Sequence, residues 1–436
     1  MERDDIVRRQ EVRNAESKRR LVLWTGVVSV FAFGLTLHAE SPGKLQKVSA
    51  ERVVARLVAA SRIYDKRAMA IASNRLVEIG HAAIPALLSR ISDVDDNVRW
   101  QVAEAIGRIG QPSDGPTRSA LVRACSDGDA DVRGAAAVAV GQLRVPGQGA
   151  RAAIQRLLTD PQPMVRADAW WAWWELTGDR RSPGVLQGLL THSDWLANAH
   201  ASGHLARIGR PAVGGLMSMI ERKPGRAGRL AAETLRSMGR LPGKDLLTLE
   251  RLLSSTDPSV VRSTGRVLGA QGAAGVPILS RALSHPLPDT RQAAVVALGD
   301  IGSEAAPVVR QLTTALRSSQ GVARIRVVET LGQIGPSARP AMSALLELAA
   351  VSDADTRGAV CRSIGRIGAP GSQDENSVVH SQAVALLKRL KQDDRVDVVR
   401  RAAAAALGQL TSHARSMAMG DETTMCQPAG DEMGVK

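Results

Sequence analysis

From about residue 52 to 412 the apolar residues fall in short runs with the three- and four-residue spacing of one helical face, broken at regular intervals by Gly, Pro and Asp. Four stretches show the regularity best: DDNVRWQVAEAIGRIG (95–110), DTRQAAVVALGDIG (289–302), GVARIRVVETLGQIG (321–335) and DADTRGAVCRSIGRIG (353–368). In each, an Arg is followed eight residues later by Gly and three after that by a second Gly, with apolar residues between. Arg99, Arg133, Arg166, Arg291, Arg324, Arg357 and Arg400 hold the Arg position. Degenerate copies end at Gly80, Gly209, Gly239 and Gly272, with Asn198 and Gly228 replacing the Arg and Arg262 one residue out of frame. Eleven copies result, mostly 30 to 34 residues apart, with one interval stretched to 43 by the loop GAPGSQDENS (368–377).

Each copy predicts two helices. After the terminal Gly comes a short turn and usually a Pro (Pro85, Pro183, Pro211, Pro277, Pro307, Pro340), which suits a first helical turn because its missing N–H costs nothing there. An apolar-periodic stretch such as IPALLSRI (84–91) follows, then a turn containing Asp: Asp96, Asp131, Asp160, Asp257, Asp289, Asp355 or Asp397. Such an Asp can cap the second helix. The terminal Gly fits the left-handed residue that ends a helix. The Gly eight after the Arg, and the small residues at +4 and +6, predict close approach of neighbouring helices. A hairpin this small buries its apolar side only against its neighbours.

On this frame the chain resembles the HEAT repeats, in particular the short bacterial variety named after phycobilisome lyases, over about 360 of its 436 residues. The resemblance implies an all-α fold, an α-solenoid whose second helices line a concave face. It also implies a structural ladder between adjacent copies, built by Arg99, Arg133, Arg166, Arg291, Arg324, Arg357 and Arg400 with turn carboxylates such as Asp96, Asp131, Asp289 and Asp355. Such repeats specify fold and leave function open.

Ahead of the repeats, residues 1–20 are charged, residues 21–39 hold an uncharged apolar run from Leu21 to Leu37, and 40–51 read as a linker. Seventeen helical residues would span about 25 Å, close to a bilayer core. The run reads as a transmembrane signal anchor, or alternatively as a signal peptide cleaved near Ala39, a poor cleavage site. Six Lys/Arg in 6–20 against four in 40–59 point to an internal N-terminus and exported repeats, in a bacterial periplasm or envelope. Residues 413–436 are polar and Met-rich and read as a disordered tail.

Composition adjusts this picture at three points. Both Phe residues lie in the N-terminal run, so the repeats have a thin core of Ala, Val and Leu. The net charge of +14 comes from 48 Arg against 9 Lys, which raises nucleic acid or another polyanion as a partner, but one Arg per copy has a structural post. Cys125, Cys361 and Cys426 are too widely spaced for a disulfide framework or zinc knuckle, and the first two read as small core residues.

Four of the seven Trp residues crowd into DAWWAWWELTG (168–178). Counting from Arg166, Trp173 falls on a core position, while Trp170 and Trp174 replace small residues. Trp171, at +5, falls where other copies have Glu104, Val138, Glu329 and Arg362 and is expected to face solvent on the concave wall. Trp100 at +1 is similarly placed. With Glu104, Arg108, Glu175 and Arg207 nearby, these two rings form the candidate partner-binding groove, since Trp and Arg favour interface hot spots.

Catalytic chemistry is sparse. HASGH (200–204) puts two His four apart on one helical face, but HExxH is absent and two ligands make no zinc site, so both read as packing and no metal or cofactor is expected. Neither a P-loop nor a G-x-S-x-G elbow occurs, and no small-molecule substrate is predicted. The leading expectation is a membrane-anchored, non-enzymatic scaffold that presents its concave face to a protein partner. The rivals are a polyanion-binding surface and a HEAT-like enzyme related to phycobilin lyases or DNA glycosylases.

Overall fold

The computed structural model describes residues 50–110, 114–351, 353–368 and 378–422. The charged N-terminal segment, the Leu21–Leu37 run, nearly all of the 40–51 linker, most of the 368–377 loop and Cys426 lie outside the described residues. Among those described, no helix is long and apolar enough to cross a membrane.

The described chain is an all-α solenoid of helical hairpins, divided into two compact units, Met1–Leu216 and Met217–Lys436. In the first unit the second helices Asp96–Ile109, Ala130–Gln142, Pro163–Thr177 and Trp195–Ile208 stack on one another in chain order. In the second unit Arg226–Ser237, Pro258–Gly269, Pro288–Ile301, Gly321–Ile334, Ala354–Ile367 and Asp397–Glu422 do the same. Shorter first helices such as Ile84–Leu88, Ser182–Leu189 and Val276–Ala282 pack alongside, each with Pro in its first turn as expected. Pro307 and Pro340 instead sit inside 3-10 turns that precede the helices Val309–Ser318 and Met342–Val351.

The core is thin and aliphatic. Val98, Val102 and Ile106 are buried along one helix, Val132, Ala136 and Val140 along the next, and Val360 and Ile364 in the second unit. Cys125 and Cys361 are buried in it as free thiols, and burial pushes the first up to about 12 and the second to about 11. The terminal Gly residues end their helices as expected, with Gly110 and Gly178 left-handed at φ 73° and 68°.

Glycine at +8 sets the distance between copies. A Cβ on Gly332 would lie 2.9 Å from Cα of Ser363, and one on Gly365 would lie 3.0 Å from Cα of Ala406. The same contact joins Gly107 to Ala139 and Gly141 to Ala172, so +8 of one helix meets +6 of the next.

The ladder exists, but its carboxylates are not the four expected. Asp96, Asp131, Asp289 and Asp355 lie inside the first helical turn, where negative charge favours the helix dipole. The caps are Asp95, Asp129 and Asp353, each accepting backbone N–H groups of the first turn. The ion pairs use the residue six before the next copy's Arg. Arg62 meets Asp93 at 3.3 Å, Arg99 meets Asp127 at 2.8 Å, Arg133 meets Asp160 at 2.8 Å and Arg357 meets Asp394 at 2.7 Å.

The geometry explains the choice. Nη1 of Arg99, Arg133, Arg166, Arg291 and Arg400 donates to the two carbonyls five and six residues back, tying down its own turn. In Arg99 and Arg133, Nε and Nη2 remain to grip the next copy's carboxylate as a fork. The side chain at −6 also accepts the backbone N–H two residues on, whether it is Asp127, Asp160, His192 or His285. Arg166 therefore keeps its carbonyls but pairs with no carboxylate among the described residues, because the next −6 slot holds His192. Asn198, standing in for the next Arg, still donates to the carbonyl of His192 at 3.1 Å.

At the C-terminal end the helix Asp397–Glu422 continues through part of the stretch expected to be a disordered tail. Good helix formers such as Arg415, Met417 and Met419 lie there with no Pro to stop them.

Candidate functional site at the Trp171 junction

The helices Pro163–Thr177 and Trp195–Ile208 meet at a junction unlike its neighbours. Where other copies place Gly at +8 against a small residue at +6, this one has Trp174 and, across the junction, His204. The two positions that make the close backbone contact elsewhere both carry rings here.

Trp171 is the main correction to what the repeat frame predicts. It is buried, at 2% exposure, and does not face solvent. Its ring stacks on His204, with centroids 5.0 Å apart and planes 12° apart, and the Arg207 guanidinium lies 4.0 Å from the ring centroid. The helical register itself holds, since Glu104, Val138 and Glu329 at the same position are half-buried and Arg362 is exposed. Trp171 departs because the following helix carries two large side chains, His204 and Arg207, that close over it. Trp173, expected in the core, is half-buried instead, because its Nε1–H reaches out to Asp179 Oδ2 at 3.1 Å.

The remaining groove candidates fall into two neighbourhoods, with the Arg108 charge acting on Glu104 and the Glu175 charge acting on Arg207. Trp100 and Glu104 are half-buried, and burial pushes the Glu104 carboxyl up. Arg108 donates to Asn74 at 2.7 Å, and Glu175 accepts from Arg144 at 3.1 Å. Arg207 is exposed on its outer side while it covers Trp171.

Beneath Trp171 lies a cluster that the sequence pattern did not bring together. Asp168 Oδ1 is 2.7 Å from His200 Nδ1 and 2.7 Å from His204 Nε2, and all three side chains are buried. The two His belong to one helix at i and i+4; the Asp comes from the preceding copy. Burial pushes the Asp168 carboxyl up, but the two imidazoles outweigh it and hold the group at about 2. Burial also pushes His204 below the ordinary imidazole value. The Oδ2 side is open only because residue 134 is Gly, where a Cβ would lie 2.5 Å from that oxygen. HASGH was the legible signal; the third member could not be inferred, because 32 residues separate Asp168 from His200.

Comparison with known proteins concerns the repeats. A family model described as HEAT repeats matches residues 246–315 and 309–408, without specifying the phycobilisome-lyase type. No curated protein matches the chain. Among solved structures, an engineered protein is 19% identical over 75% of this chain and 98% of its own, with a TM-score of 0.34. Kap121p is 15% identical over 86% of this chain, TM-score 0.41, and the match takes in 46% of Kap121p, so the chain spans about half of that protein's length. Kap95p with RanGDP is 15% identical over 86% of this chain and 58% of its own, TM-score 0.47. The chain thus carries HEAT repeats over residues 246–408, and the same Arg–Gly frame runs through the earlier copies.

Proposed function

We propose that this protein is a non-catalytic scaffold that holds a protein partner along the stripe formed by positions +5 and +9 of its second helices. The observation that carries this reading is the chemistry of that stripe. In the first unit it presents Glu104, Arg108, Val138 and Glu175, and in the second Val296, Glu329, Gln333, Arg362 and Arg366, all half-buried or exposed. Both charge signs alternate with aliphatic residues, and Glu329 and Arg362 lie 3.9 Å apart across adjacent copies. A mixed polar and apolar strip suits a folded or extended polypeptide. A polyanion surface would lack the acids. Much of the +14 charge is also committed to turns, since Arg99, Arg133, Arg166, Arg291 and Arg400 bond carbonyls of their own copies. In this reading the Leu21–Leu37 run tethers the scaffold with its repeats exported.

Photo-crosslinking residues at Val138 and Val296 in the full chain, compared with Arg151 and Arg317 on the first helices, test the stripe in the native cell. Adducts of defined mass should form at the first pair only. Equal labelling of both pairs would remove the basis for the proposal. Protease accessibility of the repeats in intact spheroplasts tests the tether: repeats facing the cytoplasm would be protected, contrary to expectation.

A further inference from the structure

We propose that Asp168, His200 and His204 bind one divalent transition-metal ion of the zinc class at the junction between the Pro163–Thr177 and Trp195–Ile208 helices. Two imidazoles and a carboxylate form a donor set suited to such ions, and among the described residues this is the one group of three metal-ligating side chains whose donor atoms converge. The three atoms lie within 4.8 Å of one another. The His pair projects from successive turns of one helix, and the facing helix supplies the acid, so the site pins two copies together.

Geometry and context support the assignment. A tetrahedral ion with bonds of about 2.0–2.2 Å needs donors roughly 3.3–3.6 Å apart. The present 2.7 Å separations reach that range by side-chain shifts of roughly half an ångström to one ångström, within reach of small χ rotations. The repeat frame does not call for carboxylate or imidazole side chains at these positions. At +6, where His204 stands, other copies have Ala105, Ala139, Ala297, Ala406, Thr330 or Ser363, and at +2, where Asp168 and His200 stand, Ala135, Ala293, Ala359, Ala402, Gln101 or Arg326. Three metal-ligating residues have entered a core that elsewhere holds Ala, Thr, Ser or Gln at these positions, and Gly134 makes room for the carboxylate. A buried carboxylate is costly without a strong partner, and a divalent ion is such a partner. The Trp171 ring, stacked on His204, shields the cluster from water.

Because the ligands are buried, the ion should enter during folding and exchange slowly. The test refolds the full chain with Zn²⁺ or Co²⁺, removes unbound ion and measures metal content, absorption spectrum and thermal midpoint. The expected result is one ion per chain, a midpoint that rises with metal concentration, and visible cobalt bands of a tetrahedral nitrogen–oxygen site. Asp168→Asn and His204→Gln, checked for retained helicity by circular dichroism, should lose the stoichiometric ion, and His81→Gln, on the surface, should keep it. Wild-type protein that refolds without retaining an ion overturns the proposal and leaves a hydrogen-bonded cluster. Retention by both variants overturns it as well. If the variants do not fold, the wild-type cobalt spectrum decides: thiolate charge-transfer bands would place the ion on cysteine and sink the assignment.

Discussion

At the scale of single residues, the organising interaction is one Arg per copy that serves two partners. Arg133 ties its own turn through two carbonyls and grips Asp160 of the next copy with its side chain largely covered, at 15% exposure. Arg166 has the carbonyls alone. Arg133→Ala should therefore destabilise by about 2–3 kcal/mol and Arg166→Ala by about half as much, the difference being the charged hydrogen bonds. Urea unfolding of both variants checks the order, and equal losses would show that the inter-copy pair adds nothing. The same pairs predict an acid response. The Arg357 guanidinium holds Asp394 below the usual carboxylate range; Asp127, despite burial that pushes it up, is held low by Arg99 and the Asp129 N–H. With folded values below unfolded ones, the unfolded chain binds these protons first. The stabilisation is then complete above the ordinary carboxylate value of about 3.9 and is lost as pH falls below it through the folded values. The urea midpoint should drop as pH falls below about 4, and Asp394→Asn should flatten that slope.

At the scale of helices, glycine has two meanings that a structure separates. Gly332 faces the backbone of Ser363, so Gly332→Ala forces the two helices apart and should lower the thermal midpoint despite better helix propensity. Gly214, in the middle of Arg210–Arg222, is exposed, and a Cβ added there would meet nothing within 4 Å. Gly214→Ala should stabilise by up to about 1 kcal/mol. A matched effect at both positions would mean that close approach does not set the helix spacing. Trp171 belongs at this scale too. Because it fills the junction under Arg207 and His204, Trp171→Ala should cost about 3–5 kcal/mol of stability and act as a packing variant rather than as a probe of partner binding.

At the scale of the whole molecule, stability is a sum over neighbours, and the surface left over is what evolution can use. The chain's positive charge invites a nucleic-acid reading, yet the exposed stripe carries acids among its Arg residues. Binding to heparin or duplex DNA should be weak and should vanish between about 50 and 200 mM salt. Tight polyanion binding that persists at the higher salt would favour the rival function. Net charge alone offers no such discrimination, because it counts turn-locked and surface Arg alike.

The architecture was legible in the order of residues alone. The Arg–Gly frame, the Pro starts and the Gly stops are local instructions, and each copy repeats them, so helix positions and the inward faces could be read without coordinates. The same frame placed Gly at +8 and the small residues at +6 that face each other. Other features depend on how consecutive copies meet, and these emerged only from the packed chain. The Asp that completes each ladder rung is the one six before the next Arg, because a guanidinium reaches across the interface to the turn and not to the first helical turn beyond it. Trp171 is covered by side chains 33 and 36 residues later in the chain. Asp168 joins the HASGH pair for the same reason: residues from successive copies become neighbours only when the helices stack, and no local rule along the chain encodes that distance.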